Sequence, residues 1–284
     1  MRELSTDLIA ARVAALCQEA NFDLPPDVLS ALDEAGQQED SPIGRRILDE
    51  LRANAAVAAS ERVPVCQDTG MVIAFVEVGQ DLHITGGSLG DAINRGVAQG
   101  YRDGYLRASV VVDPLHRENT GNNTPAVIYY DIVPGAGFRI TIMPKGFGSE
   151  NCTVLGMLKP TDGLAGVRQF VVSAVAGAGA GPCPPVSVGV GLGGTADKAL
   201  LLAKQALLRP LGKPNPDPDL ASLESELKVA INGLGCGPGG FGGRATALAV
   251  HVAAYPTHIA GLPVAVNISC HALRHKTWVY TEQV

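Results

Sequence analysis

Residues 65–78 read V-C-Q-D-T-G-M-V-I-A-F-V-E-V, a polar turn that opens directly into an apolar run. The run has the β-branched and aromatic content of a strand. Ahead of the turn and of Pro64, residues 42–59 (PIGRRILDELRANAAVAA) repeat apolar side chains at helical spacing. Ser41-Pro42 suits a cap followed by proline at the first helical position. Helix, turn and strand follow in that order, with a cysteine, an amide, a carboxylate and a hydroxyl gathered in the turn. This sets the expectation of a mixed α/β architecture with its chemistry on loops at strand ends. The turn alone leaves four uses of Cys66 open: disulfide partner, zinc ligand, nucleophile or cluster ligand.

Upstream, residues 5–22 are helical by spacing, with Ser5 or Thr6 as the cap and Cys17 on the apolar pattern of a core residue. Downstream, residues 88–103 (capped by Ser88), 163–177, 195–209 and 219–233 read as further helices. VIYYDIV (127–133) and FRITIMP (138–144), separated by Pro-Gly-Ala-Gly, read as a hairpin. PPVSVGVGLGG (184–194) is a buried strand ending in glycines, and GLPVAVNIS (261–269) is a strand running straight into Cys270. The segment GKPNPDPD (212–219) breaks the composition, but it is short enough to be a connection within a domain. We therefore expect a single mixed α/β domain over residues 1–284, with β-sheets flanked by helices and a mainly helical part up to about residue 60.

A chain of 284 residues, 46% of them hydrophobic, can bury a substantial core. The net charge of −6 offers no basic footprint, so nucleic acid is not an expected partner. An apolar run of 18 residues is absent, as is a charged-then-apolar leader after Met1; neither a membrane span nor secretion is expected. In the reducing cytoplasm this implies, the six cysteines (17, 66, 152, 183, 236 and 270) point to metal binding or catalysis rather than disulfides.

Polar and glycine residues cluster next to strand patterns in VCQDTG, LHRENTGNNTP (115–125), MPKGFGSENC (143–152), GPCPP (181–185) and NISCHALRHK (267–276). Lys-Gly-Phe-Gly is too short for a phosphate loop and lacks the spacing of a Walker A or dinucleotide signature. Cys-x-x-Cys is missing, which counts against zinc ribbons and locally bound clusters. What remains is Cys66, Cys183 and Cys270 on three separate loops. Spacing leaves two readings open: scattered packed thiols, or three ligands that hold a cluster and leave one iron open to substrate.

The stretches VCQDTG, LRASVVVDPLHRENTGNNTPAVIYYDIVPG, PKGFGSEN, CPPVSVGVGLGGT and YPTHIAGLPVAVNISCHALRH together resemble the alpha subunit, or N-terminal catalytic region, of class I iron–sulfur fumarate hydratases. Tartrate dehydratase alpha subunits are close relatives of that family. The likeness runs from about residue 40 to 275, in several long motifs in order. It implies a 4Fe–4S cluster held by Cys66, Cys183 and Cys270, in the part of the chain from residue 61 onward. It also implies that Gln67 and Asp68 face the substrate, Asp68 orienting the reacting hydroxyl or shuttling its proton. Arg107 matches a substrate-binding arginine, suited to a carboxylate. Gly148 matches a glycine whose backbone approaches substrate, and His258 matches an active-site histidine. Lys145, Asn119 and Thr120 stand as supporting residues around the site. Cys152 and Cys236 depart from the ligand positions and read as packing residues; His271 and His275 carry weaker signals.

The resemblance further implies a hydro-lyase converting fumarate to L-malate, with fumarate preferred over tartrate on the unbroken KGFGSEN and the segment TGGSLGDAINRGV. Single-chain relatives continue into a second domain, whereas this sequence stops at Val284. A separate beta subunit is therefore expected to complete the active site, in an assembly of two alpha and two beta chains, with the alpha chain inactive alone. The rival classes are an electron-transfer or iron-sensing module, marked by four protein ligands to its cluster, and a non-catalytic subunit with packed thiols.

Overall fold

The computed structural model describes residues 2–280. In chain order the elements begin with β1 (Arg2–Ser5), α1 (Thr6–Phe22), α2 (Pro26–Gln38), α3 (Pro42–Glu61), β2 (Met71–Gly79) and β3 (Leu82–Thr85). There follow α4 (Leu89–Asp103), β4 (Val127–Val133), β5 (Phe138–Lys145), the single turn α5 (Phe147–Glu150), β6 (Val154–Leu158) and α6 (Gly163–Ala178). The last elements are β7 (Val186–Gly193), α7 (Ala196–Ala206), α8 (Pro218–Asn232), β8 (Ala247–Tyr255), β9 (Leu262–Ser269) and β10 (Lys276–Tyr280). The class is mixed α/β, with helices flanking the sheets, as the sequence led us to expect. Two compact units emerge, each built from interleaved segments. The first takes the stretch up to Leu24, Ala55–Phe147 and the stretch from Arg274; the second takes Pro25–Asn54 and Gly148–Leu273.

In the first unit the sheet order is β10-β5-β2-β4, and β1 pairs with β3 in a separate two-stranded ribbon. Ser5 and Ser88 cap α1 and α4, accepting from Leu8 N at 3.2 Å and Asp91 N at 3.3 Å. The two helices lie against each other and contribute Ile9, Val13, Leu16, Ile93 and Val97 to a core with Val72 and Val76 of β2 and Ile140 and Ile142 of β5. Their approach is close because α4 presents Gly96 and Gly100: a Cβ at these positions would lie 2.5 Å from Ala10 O and 2.6 Å from Ala14 O. Cys17 is fully buried in this core, and burial pushes its thiol pKa far up.

The expected hairpin does not form. β4 pairs parallel to β2 and β5 pairs antiparallel to it, so β2 lies between the two. The Pro-Gly-Ala-Gly segment carries the chain over the end of β2, where Gly79 N donates to Gly137 O at 2.8 Å and Gln80 N to Val133 O at 2.9 Å. A Cβ on Gly79 would stand 2.3 Å from Gly135 O, so a glycine here admits the crossing. Local turn chemistry pointed to a two-stranded pairing, and the buried run of β2 prevailed by taking a partner on each edge.

In the second unit the sheet order is β6-β9-β7-β8, with β9 antiparallel to β6 and β7 and β8 parallel to β7. The alternation V-S-V-G-V-G in β7 follows from its two faces. Val186, Val188 and Val190 join Val250, Val266 and Ile268 against Val167, Val171 and Val175 of α6 and Leu223, Leu227 and Ile231 of α8. On the other face α7 comes so near that a Cβ at Gly189 or Gly191 would sit 2.0 Å from the carbonyls of Ala203 and Ala199. Helix α2 joins this unit through Asp27, whose carboxylate accepts from Leu211 N at 2.6 Å. Glu39, just after α2, accepts from Arg244 N at 2.8 Å and Ala245 N at 2.9 Å and so ties down the glycine-rich loop before β8. The helices at 6–22, 42–61, 89–103, 163–178, 196–206 and 218–232 follow the sequence reading, whereas α2, α5, β1, β3, β6, β8 and β10 were not foreseen.

Candidate active site

In the first unit the expected site residues gather around the turn that precedes β2. Cys66 and Asp68 are half-buried and Gln67 is exposed. Asp68 folds back on the turn: Oδ1 accepts from Gly70 N at 3.0 Å, and Oδ2 accepts from Phe147 N at 2.8 Å. The turn is thereby bound to the end of β5, where Met71 pairs with Lys145. Gly70 has a φ of +78°, and a Cβ there would meet the backbone N of Lys145 at 2.7 Å. Lys145 itself is buried at the strand end, 2% exposed.

Behind the turn stand groups that the sequence reading did not single out. Tyr101 of α4 donates to Thr69 O at 2.6 Å. Burial holds its phenol pKa far above the ordinary value, so it serves as a neutral donor. Asn123, fully buried, donates to Gly70 O at 3.1 Å and accepts from Ser109 N at 2.8 Å. Thr69 reaches across to Arg107, donating to its carbonyl at 2.9 Å, which places the exposed Arg107 beside the same turn. Asn119 spends its amide on the Arg107 loop, donating to Ala108 O at 3.0 Å and accepting from Gly121 N at 2.7 Å. Thr120 closes that loop through Thr120 N to Val110 O at 2.9 Å, and its buried hydroxyl has no hydrogen-bond partner.

Arg274 was missed as well. It is 4% exposed; its guanidinium donates from Nη2 to Asp68 O and from Nε to Pro144 O at 3.5 Å. The sequence signal was slight, an arginine four positions after Cys270 in CHALRHK.

In the second unit Cys183 lies just before β7 and Cys270 just after β9. These strands are antiparallel, with Ser187 opposite Ser269, so both cysteines stand at one end of the sheet. A ring nitrogen of His271 is 3.3 Å from Cys183 O, joining the two loops. Cys183 is exposed and has a φ of +55°, a left-handed conformation that glycine would hold with less strain. Gly148 is exposed on α5, its carbonyl accepting from Cys152 Sγ at 3.5 Å. A Cβ at Gly148 would meet nothing closer than Gly181 O at 3.6 Å, so the unit's own packing does not require a glycine. Cys152 otherwise packs beside the valine core, and Cys236 is half-buried in the glycine-rich loop, its carbonyl accepting from Gly242 N at 2.8 Å.

His258 falls elsewhere. It is exposed in the loop from β8 to β9, where its Nδ1 accepts from Ala260 N at 3.2 Å. That loop is at the end of the sheet opposite Cys183 and Cys270, a separation of about 23 Å at the usual rise per strand residue. Within this unit, His258 and the two cysteines are not brought together.

Within either unit, no group of three or more His, Cys, Asp or Glu side chains among the described residues is placed to hold a metal ion. Thiolates are the donors that an iron–sulfur group takes. Three thiols sit at strand-end loops, none deeply buried, two in the second unit and one in the first. Among the described residues no helix is long and apolar enough to cross a membrane.

Comparison with known proteins identifies the family of the chain. A family model described as fumarate hydratase (fumerase) matches residues 10–279. A protein of Methanocaldococcus jannaschii, provisionally named L(+)-tartrate dehydratase subunit alpha, is 43% identical over 268 residues, 92% of this chain and 94% of its own. The L(+)-tartrate dehydratase alpha subunits of Escherichia coli K12 and Shigella sonnei are each 33% identical over 261 residues, 89% of this chain and 84% of theirs. With a match that runs through both units and through every strand-end loop described above, the chain belongs to the fumarate hydratase family and is a hydro-lyase of the alpha-subunit type.

Proposed function

We propose that this chain, as one alpha-type catalytic domain, hydrates fumarate reversibly to L-malate together with a separate beta subunit. The observation that carries the reading is the turn at Cys66–Gly70, which the family match covers. It is held by Tyr101, Asn123, Thr69 and the strand end of Lys145, so Gln67 and Asp68 stand on a rigid support. Preorganisation of this kind is what a dehydration transition state requires. In this reading Cys66, Cys183 and Cys270 hold a 4Fe–4S cluster, which when bound supplies a Lewis acid for a substrate oxygen. Arg107 binds a substrate carboxylate as a bidentate donor, Gln67 donates to the second carboxylate, and the backbone of Gly148 lets substrate approach. Lys145, Asn119 and Thr120 keep these groups in place. Asp68 moves the proton at the hydroxyl, its lone pairs shared with Gly70 N and Phe147 N. His258 takes part only across an interface with another chain, given its end of the sheet. The partner subunit follows from the relatives' names as alpha subunits. An assembly of two alpha and two beta chains in the cytoplasm completes the reading.

A second reading, L-tartrate dehydration, is favoured by the names of the relatives at 43% and 33% identity. The test is co-expression with the candidate beta subunit, purification without air, and assay of fumarate hydration beside L-tartrate dehydration. Malate formation by the pair, absent from the alpha chain alone and lost in air, supports the first reading. Turnover of tartrate but not fumarate replaces it with the second. An iron-loaded pair that turns over neither overturns both.

A further inference from the structure

We infer that Arg274 is a positioning residue for the reaction, acting through Asp68; the inference rests on the reading of Asp68 given above. Three observations carry it, all within the first unit. Arg274 is 4% exposed, and its two hydrogen bonds go to the backbone carbonyls of Asp68 and Pro144 rather than to a carboxylate. Its Nη1 is buried with no hydrogen-bond partner. The carbonyls it joins belong to the two segments that meet at the Asp68 carboxylate, since Asp68 Oδ2 accepts from Phe147 N, three residues after Pro144.

A guanidinium is always charged, and removing it from water is expensive unless its donors are satisfied. A stability role alone is poorly served by a buried cation with an orphan nitrogen. Its geometry is better suited to holding two backbone segments at a fixed separation. The planar fork spans both carbonyls at once, which the single ammonium of lysine cannot reproduce. With the carbonyl of Asp68 fixed from behind and its carboxylate fixed in front by Phe147 N and Gly70 N, the side chain has little freedom left. Loss of the fork frees the turn and misaligns the carboxylate.

The experiment is a double-mutant cycle in the assembled enzyme, using Arg274→Lys and Asp68→Asn, with kcat and KM measured separately. Arg274→Lys is expected to lower kcat about 10- to 100-fold, as small misplacements of a reacting group do, with KM nearly unchanged. The double variant is then no slower than Asp68→Asn alone, because the partner through which Arg274 acts is already gone. Losses that multiply in the double variant overturn the proposal.

A second measurement stands apart from turnover. Hydrogen exchange in the isolated alpha chain is expected to speed up at the amides of Gly70 and Phe147 in Arg274→Lys, while amides in the middle of β2 keep their protection. Uniform acceleration across β2 shows a merely structural role and overturns the inference. If the wild-type pair turns over neither fumarate nor tartrate, the functional reading fails by itself. The exchange pattern then still decides whether the clamp exists. Arg274→Met, which lacks charge and fork alike, should match Arg274→Lys in both measurements; a lysine variant that performs like wild type shows that charge alone suffices and defeats the clamp.

Discussion

Gly148 and Cys183 are the two residues at which conformation and chemistry separate most cleanly. Gly148 lies on a helical turn where a Cβ would have ordinary contacts only. Gly148→Ala is expected to leave stability unchanged or raise it by about 0.5–1 kcal/mol, since alanine is the better helix residue. If substrate approaches its backbone, the same change raises KM or lowers kcat at least about tenfold, the effect of about 1.4 kcal/mol. Thermal melting beside steady-state kinetics separates the two, and an active Gly148→Ala enzyme removes Gly148 from the site. Cys183 presents the opposite case, a non-glycine in a left-handed conformation. Cys183→Gly should relieve strain of about 1 kcal/mol or more and yet abolish iron binding. Iron and sulfide analysis after anaerobic preparation checks this, and full iron content in the variant returns Cys183 to a packing role. The motif CPPVSVGVG made Cys183 visible in the sequence, but its strained backbone was not. Arg274 went unnoticed because a buried basic residue leaves no periodic mark.

At the level of elements, glycine spacing determines how near the helices come. Gly96 and Gly100 bring α4 onto the carbonyls of α1, and Gly189 and Gly191 bring β7 onto those of α7. Gly189→Ala has no room for its methyl, so it must shift α7 from the sheet. We expect a loss of about 1–3 kcal/mol, the usual range for overpacking, read as a lower denaturant midpoint with activity following stability. Gly148→Ala serves as the contrasting variant, a glycine with space around it. The elements that were legible in the sequence are those whose burial is one-sided and local. Helices 6–22, 89–103 and 218–232 carry their own period and caps. Strand order was illegible because partners are chosen across the chain. β2 separates β4 from β5 through contacts that no local pattern encodes, and β10 pairs with β5 from more than a hundred residues away.

Over the whole molecule, acid should act first through His251 and then through Glu39. Burial disfavours the charged imidazole of His251, and nearby Arg209 adds to this; Glu224 opposes both, and the net direction is downward. Folded His251 therefore resists protonation. The stability this confers is complete above the ordinary value of 6.5 and is lost as pH falls below it. For Glu39, burial works to raise the pKa, but the backbone donors of Ala245, Ser41, Arg244 and Asp40 outweigh it and the net shift is downward. Its contribution is complete above the ordinary carboxylate value of 4.5 and is lost as pH drops through the lower folded value. Glu39→Gln should thus melt earlier than wild type at neutral pH, by an amount set by charge-assisted bonds of about 1.5–3 kcal/mol. The gap should close in acid. Melting temperatures of both proteins from pH 7 downward test this, and a constant gap contradicts it.

The interleaving of the two units has a consequence for how the protein is made. On the ribosome the chain emerges from its N-terminus, and domains ordinarily fold as they appear. Here Arg274 and β10 of the first unit are translated only after the whole of Gly148–Leu273 has been made. Until then β5 has an open edge, Phe138 lacks the indole of Trp278, and the Asp68 turn lacks its guanidinium. The nascent first unit must wait, partly formed, with an apolar strand edge exposed while the second is synthesised. Such an edge is a ready template for wrong pairing. Yield should therefore depend on chaperone supply and on translation speed through residues 148–273 more than on the stability of the finished protein.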